Sequence, residues 1–128
     1  MTQRLLLDTH AFLWWLSDDP TLSNAARAAM TNPAILVHVS AATIWEIALK
    51  SQLGRLDTDN TDMALEITAN GFIELPMTAR HAHMAGWLPR HHDDPFDRML
   101  IAQAIAEGLT LISSDSQFHL YDVGLLTV

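Results

Sequence analysis

With 128 residues, 49% of them apolar, and a net charge of −8, the chain is long enough for one domain that buries roughly two thirds of its unfolded surface. The apolar content and the lack of low-complexity tracts exclude a disordered protein, and the acidic balance argues against a protein that coats nucleic acid. Zero cysteines exclude disulfides and thiolate metal sites.

The N-terminal stretch MTQRLLLDTH is too short and too interrupted for a signal peptide or a membrane span. A soluble, cytoplasmic protein without membrane association is the expectation, with residues 1–128 forming a single domain. Arg4 to Asp8 reads as a buried strand of three leucines with a polar stop. His10 to Ser17 has an amphipathic helical pattern, and Ser23 caps a second short helix, NAARAAMT, closed by Asn32-Pro33. AILVHVS reads as a second strand. Ser40 then caps the helix AATIWEIALKSQLG, with Gly54 as its stop. Within it Ala41, Ile44, Trp45, Ala48, Leu49 and Gln52 form one mainly apolar face, and Thr43, Glu46 and Lys50 share the neighbouring one.

After a polar connection, MALEITAN reads as a helix ended by Gly71, FIELP as a third strand, and Thr78 as the cap of a helix through Trp87. Asp94-Pro95 opens the next helix, which Glu107-Gly108 ends. Leu109 to Ser113 is a strand, SQFHLY a last helical turn, and YDVGLLTV supplies one more short strand. Strands alternating with helices imply an α/β fold with a parallel sheet and helices on both faces, whose ligands sit at the carboxyl ends of the strands.

Four acids project to that end. Asp8 follows the first strand, Glu46 lies inside the helix after the second, and Asp97 stands in the first turn of the helix from Pro95. Asp115 follows the returning strand. At ~1.5 Å per residue that helix spans roughly 20 Å, about the length of a five- or six-residue strand, so Asp97 and Asp115 end at one level. Taken singly, Asp8, Asp97 and Asp115 fit helix starts, and Glu46 fits an i, i+4 surface pair with Lys50. Taken together, four clustered negative charges repel one another, and a divalent cation resolves the conflict. Oxygen ligands without Cys point to Mg²⁺ or Mn²⁺, which suit phosphoryl chemistry.

Five of the seven cations, Lys50, Arg55, Arg80, Arg90 and Arg98, lie in the middle half of the chain. Lys50, Arg55 and Arg98 are candidates for RNA contact, and Arg98 serves equally well as the partner of a neighbouring acid. His81-x-His83 and His91-His92-Asp93-Asp94 invite a zinc-hydrolase reading. The i, i+2 spacing places the first two rings on different helix faces, which favours surface imidazoles.

The strand ending in Asp8-Thr9, the segment SAATIWEIALKSQLGRL and the segment DPFDRMLIAQAIAEGLTLISSDSQF together resemble the PIN-domain ribonucleases. They are most similar to the VapC-type toxins of bacterial toxin-antitoxin pairs. The resemblance covers essentially the whole chain and is most specific over residues 40–56 and 95–118. It implies a three-layer α/β/α sandwich with a parallel sheet of four to five strands. Asp8, Glu46, Asp97 and Asp115 would form the acidic metal site, with Asp8 and Asp97 as principal ligands, and Thr9 and Ser113 would be supporting hydroxyls. The implied activity is Mg²⁺- or Mn²⁺-dependent endonucleolytic cleavage of RNA by a metal-activated water. The implied partners are a cognate antitoxin and a second copy of the chain in a homodimer. Ser113-Ser114-Asp115 departs from a common Thr-x-Asp, and Asp93 and Asp94 are extra acids beside the site. Two rivals stand beside this reading. One is a phosphatase with Asp8 as nucleophile, which usually wants a second acid where His10 stands. The other is a catalytically silent scaffold of the same fold.

Overall fold

A computed structural model describes residues 3–128; Met1 and Thr2 lie outside the described residues. Five strands form one parallel sheet: β1 (Arg4–Leu7), β2 (Leu36–Ser40), β3 (Ile73–Leu75), β4 (Thr110–Ser113) and β5 (Leu125–Thr127), in the order β3-β2-β1-β4-β5. Six α-helices flank it: α1 (Thr9–Leu16), α2 (Asn24–Thr31), α3 (Ala41–Gln52), α4 (Met63–Ala69), α5 (Ala79–Trp87) and α6 (Pro95–Glu107). A short 3-10 helix, Ser116–Leu120, follows β4. The expected α/β/α architecture is borne out, with five strands in the sheet.

The central strand shows why the fold forms. Leu5, Leu6 and Leu7 are fully buried, each contributing about 1.5–3 kcal/mol of burial. Their alternation feeds two cores. Leu5 and Leu7 pack with Phe12, Leu22, Met30, Ile47 and Ile67 on one face; Leu6 packs with Leu100, Ile101, Leu111 and Phe118 on the other. A strand buried on both sides reads as an unbroken apolar run, which is what the sequence shows.

Local capping is also as expected. Asp8, Ser23, Ser40, Thr78 and Asp94 each accept a backbone N–H at the start of a helix. β1 ends one residue sooner than its expected range because Asp8 turns to cap α1. β2 begins at Leu36 because Ala34 and Ile35 are held in a turn by Asn32. Gly108 ends α6 in the left-handed region, at φ 67°, where a side chain is disfavoured. The chain then reverses directly into β4.

One expected helix face is wrong. In α3 the buried residues are Ala42, Thr43, Glu46 and Ile47, whereas Trp45 and Leu49 are exposed. α3 gives Ala42 to one core and Ile47 to the other, so the stripe between them, Thr43 and Glu46, turns inward at the strand ends. The apolar stripe from Trp45 to Leu49 faces out. No helix among the described residues is long and apolar enough to cross a membrane.

Candidate metal centre

The chain runs outward from β1 to β2 and β3 on one side and then returns to β4 on the other side of β1, a topological switch that opens a crevice at the carboxyl ends. Asp8 caps the end of β1, its N–H bonded to the Ile112 carbonyl of β4 at 3.0 Å. Its Oδ1 accepts the Ala11 N–H at 2.8 Å. Burial pushes the Asp8 carboxyl up; the Ser113 hydroxyl, the Ala11 N–H and His10 oppose that shift, and Asp115 adds to it. Ser113 also accepts the Asp115 N–H at 3.0 Å, so one hydroxyl touches both acids.

Glu46 enters from α3. Thr9 donates its hydroxyl to Oε1 at 2.6 Å and lies 3.3 Å from the Thr43 hydroxyl. Lys50 donates to Oε2 at 2.5 Å. The i, i+4 pair is therefore present, but Glu46 is only 4% exposed. It belongs to the crevice and is no surface ornament.

Asp97 is where the four segments meet electrically. Its carboxyl is pushed up to about 8, first by burial and then by Asp94, Glu46, Asp8 and Asp115. Among the described residues its carboxylate accepts no hydrogen bond, and its nearest basic neighbour is the His92 Nε2, 3.8 Å from Oδ2. Asp115 spends Oδ1 on capping the 3-10 helix through the Gln117 N–H at 2.9 Å. Asp94 caps α6 through Phe96 and Asp97, and Asp93 is exposed beside Arg90.

Among the described residues no three acidic or imidazole groups stand close enough together to grip an ion without moving. Each of Asp8, Glu46 and Asp115 accepts a hydrogen bond from a protein donor. The donor set nevertheless fits a hard divalent cation. Its oxygens are carboxylates, and Asp97 stands half-buried among like charges that a cation would relieve.

Several expected roles change. Arg98 is buried and donates to the carbonyls of Ala85 (2.9 Å), Leu88 (2.9 Å), Pro89 (3.0 Å) and His92 (3.4 Å). It staples the carboxyl end of α5, pairs with no acid among the described residues, and is not available to RNA. Arg98→Ala is expected to lower the melting temperature by about 10 °C, since several buried carbonyls lose a charged donor. Thermal unfolding checks this, and an unchanged midpoint with weakened RNA binding would restore the phosphate role. Lys50 is held by Glu46, while Arg55 is exposed just beyond α3.

The surface-histidine expectation also fails at two positions. His81 is buried: Nδ1 accepts the Thr78 N–H at 3.2 Å, so Nε2 carries the hydrogen and donates to Glu107 at 2.9 Å. The side chain of His92 is also largely covered, with its Nδ1 2.7 Å from the Tyr121 hydroxyl. Hydropathy gives no sign of either, because the partners lie 26 and 29 residues away. His10, at the position the phosphatase reading wants acidic, is exposed and stacks on Trp14.

Comparison with known proteins agrees with this geometry. Residues 5–124 match the model of the PIN domain. The chain is 29% identical over 117 residues to Ribonuclease VapC22 of Mycobacterium tuberculosis (strain ATCC 25618 / H37Rv), covering 90% of this chain and 89% of that relative. It is similar in fold to a chain of the crystal structure of VapBC2 from Rickettsia felis bound to a DNA fragment from their promoter, with TM-score 0.73, 16% identity and 98% of each chain covered. DNA-bound VapBC from Salmonella typhimurium gives TM-score 0.71 at 15% identity, with 99% of this chain and 98% of that one covered. The resemblance read from the sequence is thereby borne out. A match that begins inside β1 and ends at the residue before β5 leaves little of the chain outside it: this protein belongs to the PIN domain family.

Proposed function

We propose that the chain is a Mg²⁺- or Mn²⁺-dependent endoribonuclease that acts as the toxin of a toxin-antitoxin pair. The observation that carries the reading is Asp97, a half-buried carboxyl pushed up to about 8 in part by three acids from separate segments, Asp8, Glu46 and Asp115. Perturbed acids gathered in a crevice mark functional sites more often than structural ones. The ribonuclease name of the curated relative supports RNA as substrate.

Asp8 and Asp97 would be the principal ligands, with Glu46 and Asp115 completing the set. When bound, Mg²⁺ or Mn²⁺ would activate water and neutralise charge on a phosphoryl group. Thr9 holds the Glu46 carboxylate in one orientation, and Ser113 ties Asp8 to Asp115. Lys50 screens Glu46 in the metal-free chain and would be displaced as an ion approaches. Arg55 is the exposed cation closest in sequence to α3 and a candidate phosphate contact.

Among the solved relatives, one is described as a toxin-antitoxin complex and another as a member of the VapBC family of toxin-antitoxin systems, which supports a cognate antitoxin as partner of this chain. A homodimer and a cytoplasmic location belong to the same reading. Incubation of the purified chain with structured RNA and Mn²⁺ is expected to give discrete internal cuts that excess EDTA abolishes. Cleavage that persists in EDTA would refute metal dependence, and no cleavage of any RNA with Mn²⁺ present would favour the silent scaffold.

A further inference from the structure

His92 lies in the loop between α5 and α6, and its side chain is only 7% exposed. Its ring sits edge-on to Phe118 and Tyr121, with centroids 6.1 and 5.4 Å away. Arg98 holds its backbone carbonyl at 3.4 Å. Nδ1 meets the Tyr121 hydroxyl at 2.7 Å. Nε2 is buried and has no hydrogen-bond partner among the described residues. A buried polar atom left in that state costs about 1–3 kcal/mol, and native proteins seldom keep one without a use. The acceptor it faces is Asp97 Oδ2, at 3.8 Å.

We propose that His92 is a positioning residue for Asp97: Tyr121 donates to Nδ1, the hydrogen therefore sits on Nε2, and that N–H holds the outer oxygen of Asp97 so that the other oxygen faces the ion. The inference rests on the metal reading given above. At 3.8 Å the contact is longer than a hydrogen bond. Rotation of the Asp97 carboxylate about its terminal torsion, which is soft, shortens it, and such contacts commonly tighten when a site fills. Outer partners of this kind orient metal-binding carboxylates, and losing one typically costs about 10–100-fold in metal affinity.

Packing alone does not account for the arrangement, because an apolar ring would fill the same space without stranding a nitrogen. Phe118 and Tyr121 both follow Asp115, Phe118 within the 3-10 helix that Asp115 caps and Tyr121 just after it. The ring therefore also ties the Asp97 turn to the Asp115 arm. His91, the residue before it, packs on Tyr121 but is exposed and has no such position.

Two variants separate positioning from packing. The amide nitrogen of glutamine falls near the place of Nε2, and that of asparagine near Nδ1. For the full chain, Mn²⁺ affinity measured by calorimetry is expected to fall about 10–100-fold in His92→Asn and to stay within about threefold of wild type in His92→Gln, with metal-free melting temperatures of the two variants alike. Wild-type affinity in His92→Asn, or equal losses in both, would overturn the proposal. Long-range ¹H–¹⁵N spectra of the metal-free wild type give an arm independent of metal. They are expected to show hydrogen on Nε2 of His92 and a shift of that nitrogen in Asp97→Asn; a bare Nε2 overturns the proposal. A wild-type chain that binds no Mn²⁺ overturns the metal reading beneath it, and the spectra then decide the His92–Asp97 contact alone.

Discussion

Asp97→Asn is expected to lower metal-dependent RNA cleavage by about a thousandfold or more while making the metal-free chain more heat-resistant than wild type. The two effects have one cause. Asparagine keeps the shape of the side chain and its place in the first turn of α6, but removes the charge. In the wild type, burial and then Asp94, Glu46, Asp8 and Asp115 push the Asp97 carboxyl from 3.8 up to about 8. An acid whose folded value is raised stabilises the fold fully only below its unfolded value, and that contribution is lost as pH rises through the folded value. The unfolded chain gives up this proton near pH 4 and the folded chain near pH 8, so the penalty grows across that window and levels off above it. The amide of the variant carries no such penalty. Relief of even one or two kcal/mol, well below the unscreened shift, moves the midpoint by roughly 3–8 °C. Melting curves in EDTA are therefore expected to coincide near pH 4 and to separate most at pH 8 and above. Full cleavage by the variant, or a variant less stable than wild type at pH 8, would count against Asp97 as the charged centre of the site.

How much of this was legible in the sequence depends on the distance over which each feature is decided. Helix caps are settled within three residues, and Ser23, Ser40, Thr78 and Asp94 stand where local chemistry puts them. The buried strands were legible because Leu5 to Leu7 and Leu111 to Ile112 need no particular partner, only an apolar one. The fate of a buried polar side chain is decided elsewhere. Arg98 finds carbonyls six to thirteen residues earlier, His81 finds Glu107, and His92 finds Tyr121. Periodicity also misassigned the inward face of α3, because it assumes that the buried stripe is the apolar one. Here Thr43 and Glu46 turn inward towards Thr9, and the stripe holding Trp45 is left outside. The four acids were visible as residues and as strand-end positions, and the return from α6 to β4 set Asp97 level with Asp115. The rest of their mutual reach depends on the order of strands around β1 and on distant partners such as Thr9, 37 residues from Glu46.

That mutual reach makes metal binding a proton exchange. With the Asp97 carboxyl at about 8, about nine tenths of it is protonated at pH 7, and an ion that takes the carboxylate must displace that proton. Mn²⁺ binding at pH 7 is therefore expected to release close to one proton, the one held by Asp97. Affinity rises about tenfold per pH unit from pH 6 to pH 8 and flattens above, where the proton is already gone. In Asp97→Asn the residual affinity loses most of this dependence, because the group that exchanged is absent. Calorimetric titration in two buffers of different ionisation heat counts the protons directly, and an affinity independent of pH between 6 and 8 would mean that Asp97 is not displaced by the ion. The same exchange sets stability. Mn²⁺ at a hundred times its dissociation constant adds about 2.7 kcal/mol to the folded state. Above pH 8 the folded metal-free chain carries the full Asp97 charge, so the ion gives its largest stabilisation there at a fixed concentration. Carboxylates that repel one another in the metal-free chain are stabilising only once a cation stands among them.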